Sequence, residues 1–170
     1  MLKIRSMTEA EFERIILKQS FEAYVKDIEV YKDEFIKHFK GSTPREFADN
    51  QFKKMLAAGV RSSNQTFWIV LKEDTDEEIG HLWYTALHDK NLCLLTDIFV
   101  VKKYRGQGFG TEILHNWENH VKESHPELKG LYLSVFNHNE RAKNLYERYG
   151  FMKTRESFGT TDMVKEFRTN

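Results

Sequence analysis

Cysteine is nearly absent. Cys93 is the only one in 170 residues, so no disulfide can close within the chain and no cysteine-based zinc cage can be built. Its setting, the apolar run "NLCLLTDIF", reads as a small buried core residue rather than a reactive thiol. Net charge is missing too, because 26 Lys plus Arg balance 26 Asp plus Glu. No bulk field therefore points to nucleic acid or to a membrane surface, and any positive site must be local. No apolar run approaches the roughly 18 residues a membrane helix needs. The opening "MLKIRSMTEAEFERI" contains no uninterrupted apolar stretch of the signal-peptide kind. A soluble, cytoplasmic protein is expected, with neither nucleic acid nor membrane as partner. Internal repeats and low-complexity tracts are also lacking.

What is present is an ordinary globular composition, 40% hydrophobic and 31% charged, at a length that suits one domain over 1–170. "LKIRSM" alternates and predicts a first strand. Residues 8–39 carry helical spacing, Phe12, Ile15, Ile16, then Phe21, Tyr24, Val25, Ile28, with Thr8 and Glu11 as a capping box. A second helix is predicted over 42–59, with Pro44 in its first turn and Gly59 as its stop. "QTFWIVLKE" and "EIGHLWYTALHD" flank the turn "DTDE" and predict an antiparallel hairpin. "NLCLLTDIFVV" reads as a strand buried on both faces. A helix over 111–124, with Ile113, Leu114, Trp117 and Val121 on one side, a strand "GLYLSVF", a helix ended by Gly150 and two last strands complete a mixed α/β order.

Glycine is scarce, nine in all, yet Gly106, Gly108 and Gly110 crowd into five residues after Arg105. They stand between the apolar strand and the 111–124 helix. The spacing is neither G-x-G-x-x-G nor a P-loop. A helix N-terminus leaves N–H groups unpaired and carries partial positive charge. Glycine lets an anion approach the backbone closely, and Arg105, with Lys102 and Lys103, adds cations suited to phosphate. A tight turn whose glycines only supply positive φ is the bland alternative.

Two blocks carry a resemblance. "LTDIFVVKKYRGQGFGTEIL" is similar to the acetyl-CoA motif of the GNAT-type N-acetyltransferases, Arg/Gln-x-x-Gly-x-Gly/Ala after a fourth strand. "LYLSVFNHNERAKNLYERYGFMKT" resembles that family's later strand, Asn, helix and "GF". The resemblance covers residues 65–168; the first 60 residues match only in their strand-helix-helix order. It implies a central, mostly antiparallel sheet, flanked by helices, whose strands 4 and 5 splay apart. It implies a coenzyme-binding loop from Arg105 and Gly106 onward, with the pyrophosphate held by backbone N–H groups of Gln107, Gly108, Phe109, Gly110 and Thr111. The pantetheine arm would add like a strand to Ile98, Phe99 and Val100, and a bulge is a common way to end strand pairing there. Asn137 would contact pantetheine or substrate, or cap the next helix, and Asn144 would contact the coenzyme.

Acetyl transfer to an amine needs a neutral amine, a donor to the forming oxyanion and a proton for the departing thiolate. The resemblance places the oxyanion donor at the N–H of Phe99 or Val100. It makes Tyr146 the proton donor, a phenol being neutral at pH 7 and close to a thiol in acidity; Tyr149, before "GF", is assigned to packing. Asp97 is the candidate base or substrate anchor. Thr96 stands where some relatives carry a second acid, so water-mediated deprotonation stays open, and His81 and His138 are alternatives. Trp83 and Tyr84 wall an acceptor site or fill the core.

The function implied is acetylation of a primary amine, on a small molecule or peptide, with acetyl-CoA as cosubstrate and no metal; the family is often homodimeric. The competing readings are a non-catalytic acyl-CoA-binding regulatory domain, which would not need Tyr146, and a nucleotide-binding module, which would not need the second block.

Overall fold

The computed structural model describes residues 1–39 and 42–167; Arg168, where the family resemblance ends, lies outside them. The chain divides into two compact units. One is Met7–Ser63; the other joins Met1–Ser6 to the chain from Asn64 onward.

The first unit is helical. The capping box forms, with Thr8 N–H donating to Glu11 Oε2 at 2.9 Å and Glu11 N–H to Thr8 Oγ1 at 3.3 Å. The single helix expected over 8–39 does not. It is divided into α1 (Glu9–Arg14), a π-helical turn (Ile15–Ser20), α2 (Phe21–Glu29) and α3 (Lys32–His38). The cause lies in the apolar spacing. From Ile16 to Phe21 is a five-residue step, one too long for α geometry, and the Phe21 N–H bonds back to Ile16 O, five residues earlier. The wider turn keeps Ile15 and Ile16 buried along with Val25 and Ile28. A second capping box, Thr43 with Glu46, starts α4 (Pro44–Met55). This helix stops earlier than Gly59, which instead begins a short 3-10 turn at φ +60°. Phe52 on α4 packs edge-on to Phe21 at 5.3 Å between ring centroids.

The second unit is a seven-stranded sheet in the order β1-β2-β3-β4-β5-β7-β6. Its strands are β1 (Leu2–Ser6), β2 (Gln65–Lys72), β3 (Glu78–Leu87), β4 (Leu92–Val100), β5 (Gly130–Phe136), β6 (Met152–Ser157) and β7 (Thr160–Glu166). Every neighbouring pair is antiparallel except β4 and β5, which run parallel. Helix α5 (Phe109–Ser124) buries Ile113, Leu114, Trp117 and Val121 in one cluster with Leu82, Tyr84, Cys93, Leu131 and Leu133. Each such side chain contributes about 1.5–3 kcal/mol by leaving water. Cys93 is fully buried and burial pushes its thiol pKa up to about 12, so it is an inert core residue. Helix α6 (Glu140–Tyr149) ends at Gly150 with φ +99°.

β4 is less buried than the sequence suggests. Its residues from Thr96 to Val100 are only half-buried. Pairing with β5 runs from Leu92↔Gly130 to Leu95↔Leu133 and then stops. Beyond that point β4 stays with β3 as far as Val100, and β5 stays with β7 as far as Phe136. The two parallel strands therefore part halfway along.

Candidate active site

The parting begins at a bulge. Trp83 pairs with Asp97 and Tyr84 with Leu95, which leaves Thr96 as an extra residue in β4. Side chains alternate along a strand, so one extra residue exchanges the two faces. Cys93 and Leu95 belong to the α5 core, and after the bulge Ile98 and Val100 pack against that same core. Asp97 and Phe99 are thereby turned to the opposite face. Without the bulge, Asp97 would point into the hydrocarbon around α5. Thr96, the non-acidic departure from some relatives, makes this exchange, and its hydroxyl lies 3.4 Å from that of Thr85.

On the face so exposed, Asp97 meets His81 of β3. His81 Nε2 lies 2.9 Å from Asp97 Oδ2. An ionised carboxylate only accepts, so the imidazole donates from Nε2. His81 is 1% exposed, and its ring stacks on Phe99 at 5.3 Å and 17°. Asp97 keeps 30% of its side chain exposed. The residues weighed separately as bases in the sequence are thus one pair. His138 is exposed after β5, beside Phe136. Trp83 shares the His81 face of β3 and packs on Phe67 at 5.5 Å, whereas Tyr84 is part of the α5 core.

The main chain is turned as well. Val101 N–H donates to Ile79 O at 2.8 Å. Along an antiparallel ladder the polar groups of successive residues point to opposite sides. Phe99 therefore spends its N–H and C=O on β3, while Ile98 and Val100 turn theirs toward the gap left by β5. Of the three residues expected to meet a pantetheine arm through the backbone, two face the gap. Of the two N–H groups weighed as oxyanion donors, that of Val100 faces the gap and that of Phe99 faces β3.

The gap leads to the glycine loop. Gly106 and Gly108 take φ +81° and +88°, and a Cβ at either would meet nothing within 4 Å. Gly108 is also the N-cap of α5, with no side chain capping the helix. The first N–H bonded within the helix is that of Glu112, to Gly108 O at 3.1 Å, so the N–H groups of Phe109, Gly110 and Thr111 emerge at the helix start. Gly110 differs. A Cβ there would lie 3.2 Å from Leu145 Cδ2, so its bareness serves the packing of α5 on α6.

The cations divide in the same way. Lys103 pairs with Glu77, which also accepts from the Tyr104 hydroxyl, so Lys103 braces the loop and its charge is already matched. Arg105 Nε donates to Val100 O at 2.7 Å, and its guanidinium lies 5.3 Å from the centroid of the Phe99 ring. Lys102 is exposed. Gln107 donates from its side-chain amide to Lys103 O at 2.8 Å, closing the turn from inside.

Tyr146, on α6, is 6% exposed and packs on Phe151. Burial first, and then the nearby Asp97 carboxylate, push its phenol pKa well above the ordinary range. It stays protonated, but it is no longer close in acidity to a thiol, as its type alone suggests. Asn137 accepts from the Thr161 hydroxyl at 2.6 Å and from Lys143 Nζ through its main-chain oxygen at 3.3 Å. The cap of α6 is Asn139, which accepts from Ala142 N–H at 3.1 Å. Asn144 is exposed on α6. Tyr149 donates to Glu118 Oε2 at 2.7 Å, and the same carboxylate pairs with the partly exposed Lys122 and Lys165.

Residues 28–151 match the family model described as Acetyltransferase (GNAT) family. The chain belongs to that family. It is an acetyltransferase of the GNAT type. Among its relatives, the uncharacterized N-acetyltransferase YdgE of Bacillus subtilis is 31% identical over 111 residues, 64% of this chain and 69% of YdgE. The spermine/spermidine N(1)-acetyltransferase of Bacillus subtilis is 34% identical over 95 residues, 55% of either chain. The fold agrees with solved GNAT structures. The uncharacterized N-acetyltransferase YycN of Bacillus subtilis superposes with a TM-score of 0.78 at 22% identity, over 92% of this chain and 96% of that one. The spermidine N-acetyltransferase of Vibrio cholerae, solved with CoA and spermine, gives 0.66 at 16% identity, over 97% and 95%. The mostly antiparallel sheet flanked by helices, with its fourth and fifth strands parting, is the architecture the resemblance implied.

Proposed function

We propose that the chain transfers an acetyl group from acetyl-CoA to a primary amine of a small molecule or peptide, and that residues 1–170 work as one acetyltransferase domain. The observation that carries this reading is the parting of β4 from β5, with the main chain of Ile98 and Val100 turned into the gap beside the start of α5. An extended amide-bearing arm can pair there as an added strand. The pyrophosphate then meets the N–H groups of Phe109, Gly110 and Thr111 and the partial positive charge of the helix. Gln107 and Arg105 stand beside it, Asn137 and Asn144 along the arm.

In this arrangement the Val100 N–H faces the thioester oxygen as it becomes an oxyanion. The amine loses its proton toward the Asp97 carboxylate, directly or through water, with His81 holding that carboxylate in place. As the amine nitrogen bonds to the carbonyl carbon the C–S bond breaks; the thiolate accepts a hydrogen bond from the Tyr146 hydroxyl and takes its proton as the one Asp97 received from the amine is passed to the phenol, so the net transfer is from amine to thiolate. No step calls on a metal. Polyamines are the first acceptors to try, because relatives named for spermine and spermidine share the fold and part of the sequence.

Acetyl-CoA offered with polyamines, other primary amines and peptides, following thiol release and product mass, tests the reading. Turnover of one amine class supports it. Tight acetyl-CoA binding without turnover on any amine would overturn it in favour of a regulatory binding domain.

A further inference from the structure

We infer that His88, His125 and Glu127 form a binding site for a divalent transition-metal ion of the zinc class, away from the acyl-transfer chemistry. The three side chains come from two turns far apart in sequence. His88 opens the short turn (His88–Lys90) between β3 and β4. His125 and Glu127 lie in the turn between α5 and β5. One donor atom from each falls within 4.8 Å of the others. His88 Nδ1 is 3.0 Å, and His125 Nδ1 3.7 Å, from the same carboxylate oxygen, Glu127 Oε1. Ligands bound at about 2.1 Å in a tetrahedron stand about 3.4 Å apart, and these two separations bracket that edge. Two imidazoles and one carboxylate suit zinc far better than the all-oxygen preference of calcium or magnesium. Water would complete the fourth position.

The backbone holds the donors in place. His125 N–H closes α5 on Val121 O at 2.9 Å, and Leu128 N–H returns to His125 O at 3.0 Å. Pro126 stiffens the turn between them. On the other side, Asn91 N–H bonds to His88 O at 3.3 Å, and Asn91 takes a left-handed φ of +53°. Lys129 N–H then donates to Asn91 O at 2.7 Å, tying the two turns together. The ligand positions are set before any ion arrives, which lowers the cost of binding. His125 is only 26% exposed, while His88 and Glu127 are about half exposed, so an ion can enter from solvent.

The place in the fold gives the role. The turns meet at the Leu92↔Gly130 end of the β4–β5 pair, opposite the end where the strands part. An ion there staples the closed end and takes no part in the reaction.

Tag-free, chelator-treated protein titrated with Zn²⁺ by calorimetry should bind about one ion per chain. At a hundredfold excess over Kd the melting temperature should rise by about 5–10 °C. Co²⁺ should give the visible bands of a tetrahedral site. His88→Ala with His125→Ala should lose all three signals, Glu127→Gln should weaken them, and acetyl-CoA binding should be unchanged in each. Should the double variant misfold, the Co²⁺ spectrum of Glu127→Gln decides alone. Absence of saturable binding, or equal binding by folded variants, would overturn the site.

Discussion

His81 donates to Asp97 across 2.9 Å, from a fully buried ring to a carboxylate that keeps 30% of its side chain exposed. A carboxylate held this way keeps one orientation instead of several. Asp97→Asn should lower kcat roughly 10²-fold or more if the carboxylate takes the amine proton. His81→Gln, which keeps a donor, should cost about tenfold. The double variant should be little worse than Asp97→Asn alone, since the two act as a unit. Steady-state rates against pH on all three variants check this; additive losses would separate the pair.

Tyr146→Phe removes one oxygen and keeps the ring against Phe151. Turnover should fall roughly 10²–10⁴-fold while acetyl-CoA affinity holds. Burial and Asp97 raise the phenol pKa, so wild-type rates should show no loss from Tyr146 ionisation as pH rises through about 10, where a free tyrosine titrates. A variant with full activity would leave the thiolate to be protonated by water.

The glycines should separate by readout. Gly108→Ala meets no neighbour but must keep φ +88°, so it should cost about 1 kcal/mol of stability and weaken acetyl-CoA binding. Gly110→Val pushes into Leu145 and should chiefly lower the melting temperature. Arg105→Ala should weaken acetyl-CoA binding by on the order of 1.5–3 kcal/mol. Calorimetry beside thermal melts tests all three; equal affinity throughout would remove the pyrophosphate from this loop.

Glu118 should govern acid stability. Burial alone would raise its carboxyl, but donation from Lys122, Lys165 and Tyr149 outweighs it and holds the pKa at about 2. The folded value lies below the unfolded one of about 4.3. Its contribution is therefore full above pH 4.3 and is lost as pH falls toward 2. Glu118→Gln should cost about 2–4 kcal/mol at pH 7, by leaving partners unmatched, and less as the pH drops. Urea unfolding of both proteins from pH 7 to pH 3 measures the gap. A constant gap would contradict the assignment.

The sequence by itself determined what rests on neighbours along the chain. The capping box of Thr8 with Glu11, the hairpin around "DTDE", the stop at Gly150 and the positive-φ turn at Gly108 are each fixed within a few residues. Backbone sterics and local hydrogen bonds act over that range, and so does the family motif built on them. Even the π turn was latent in the five-residue step from Ile16 to Phe21, although helical periodicity alone smooths over it. What only the tertiary structure decided are relations between distant strands and turns. The extra residue at Thr96 exists only against β3, and it turns Asp97 toward His81. Lys103, which looks like a phosphate ligand beside Arg105, is claimed by Glu77, 26 residues away. Gly110 is bare because of Leu145, and His88 finds His125 and Glu127 only once β4 and β5 are paired. Cross-strand register and helix packing set these meetings, and neither is written in any short window of sequence.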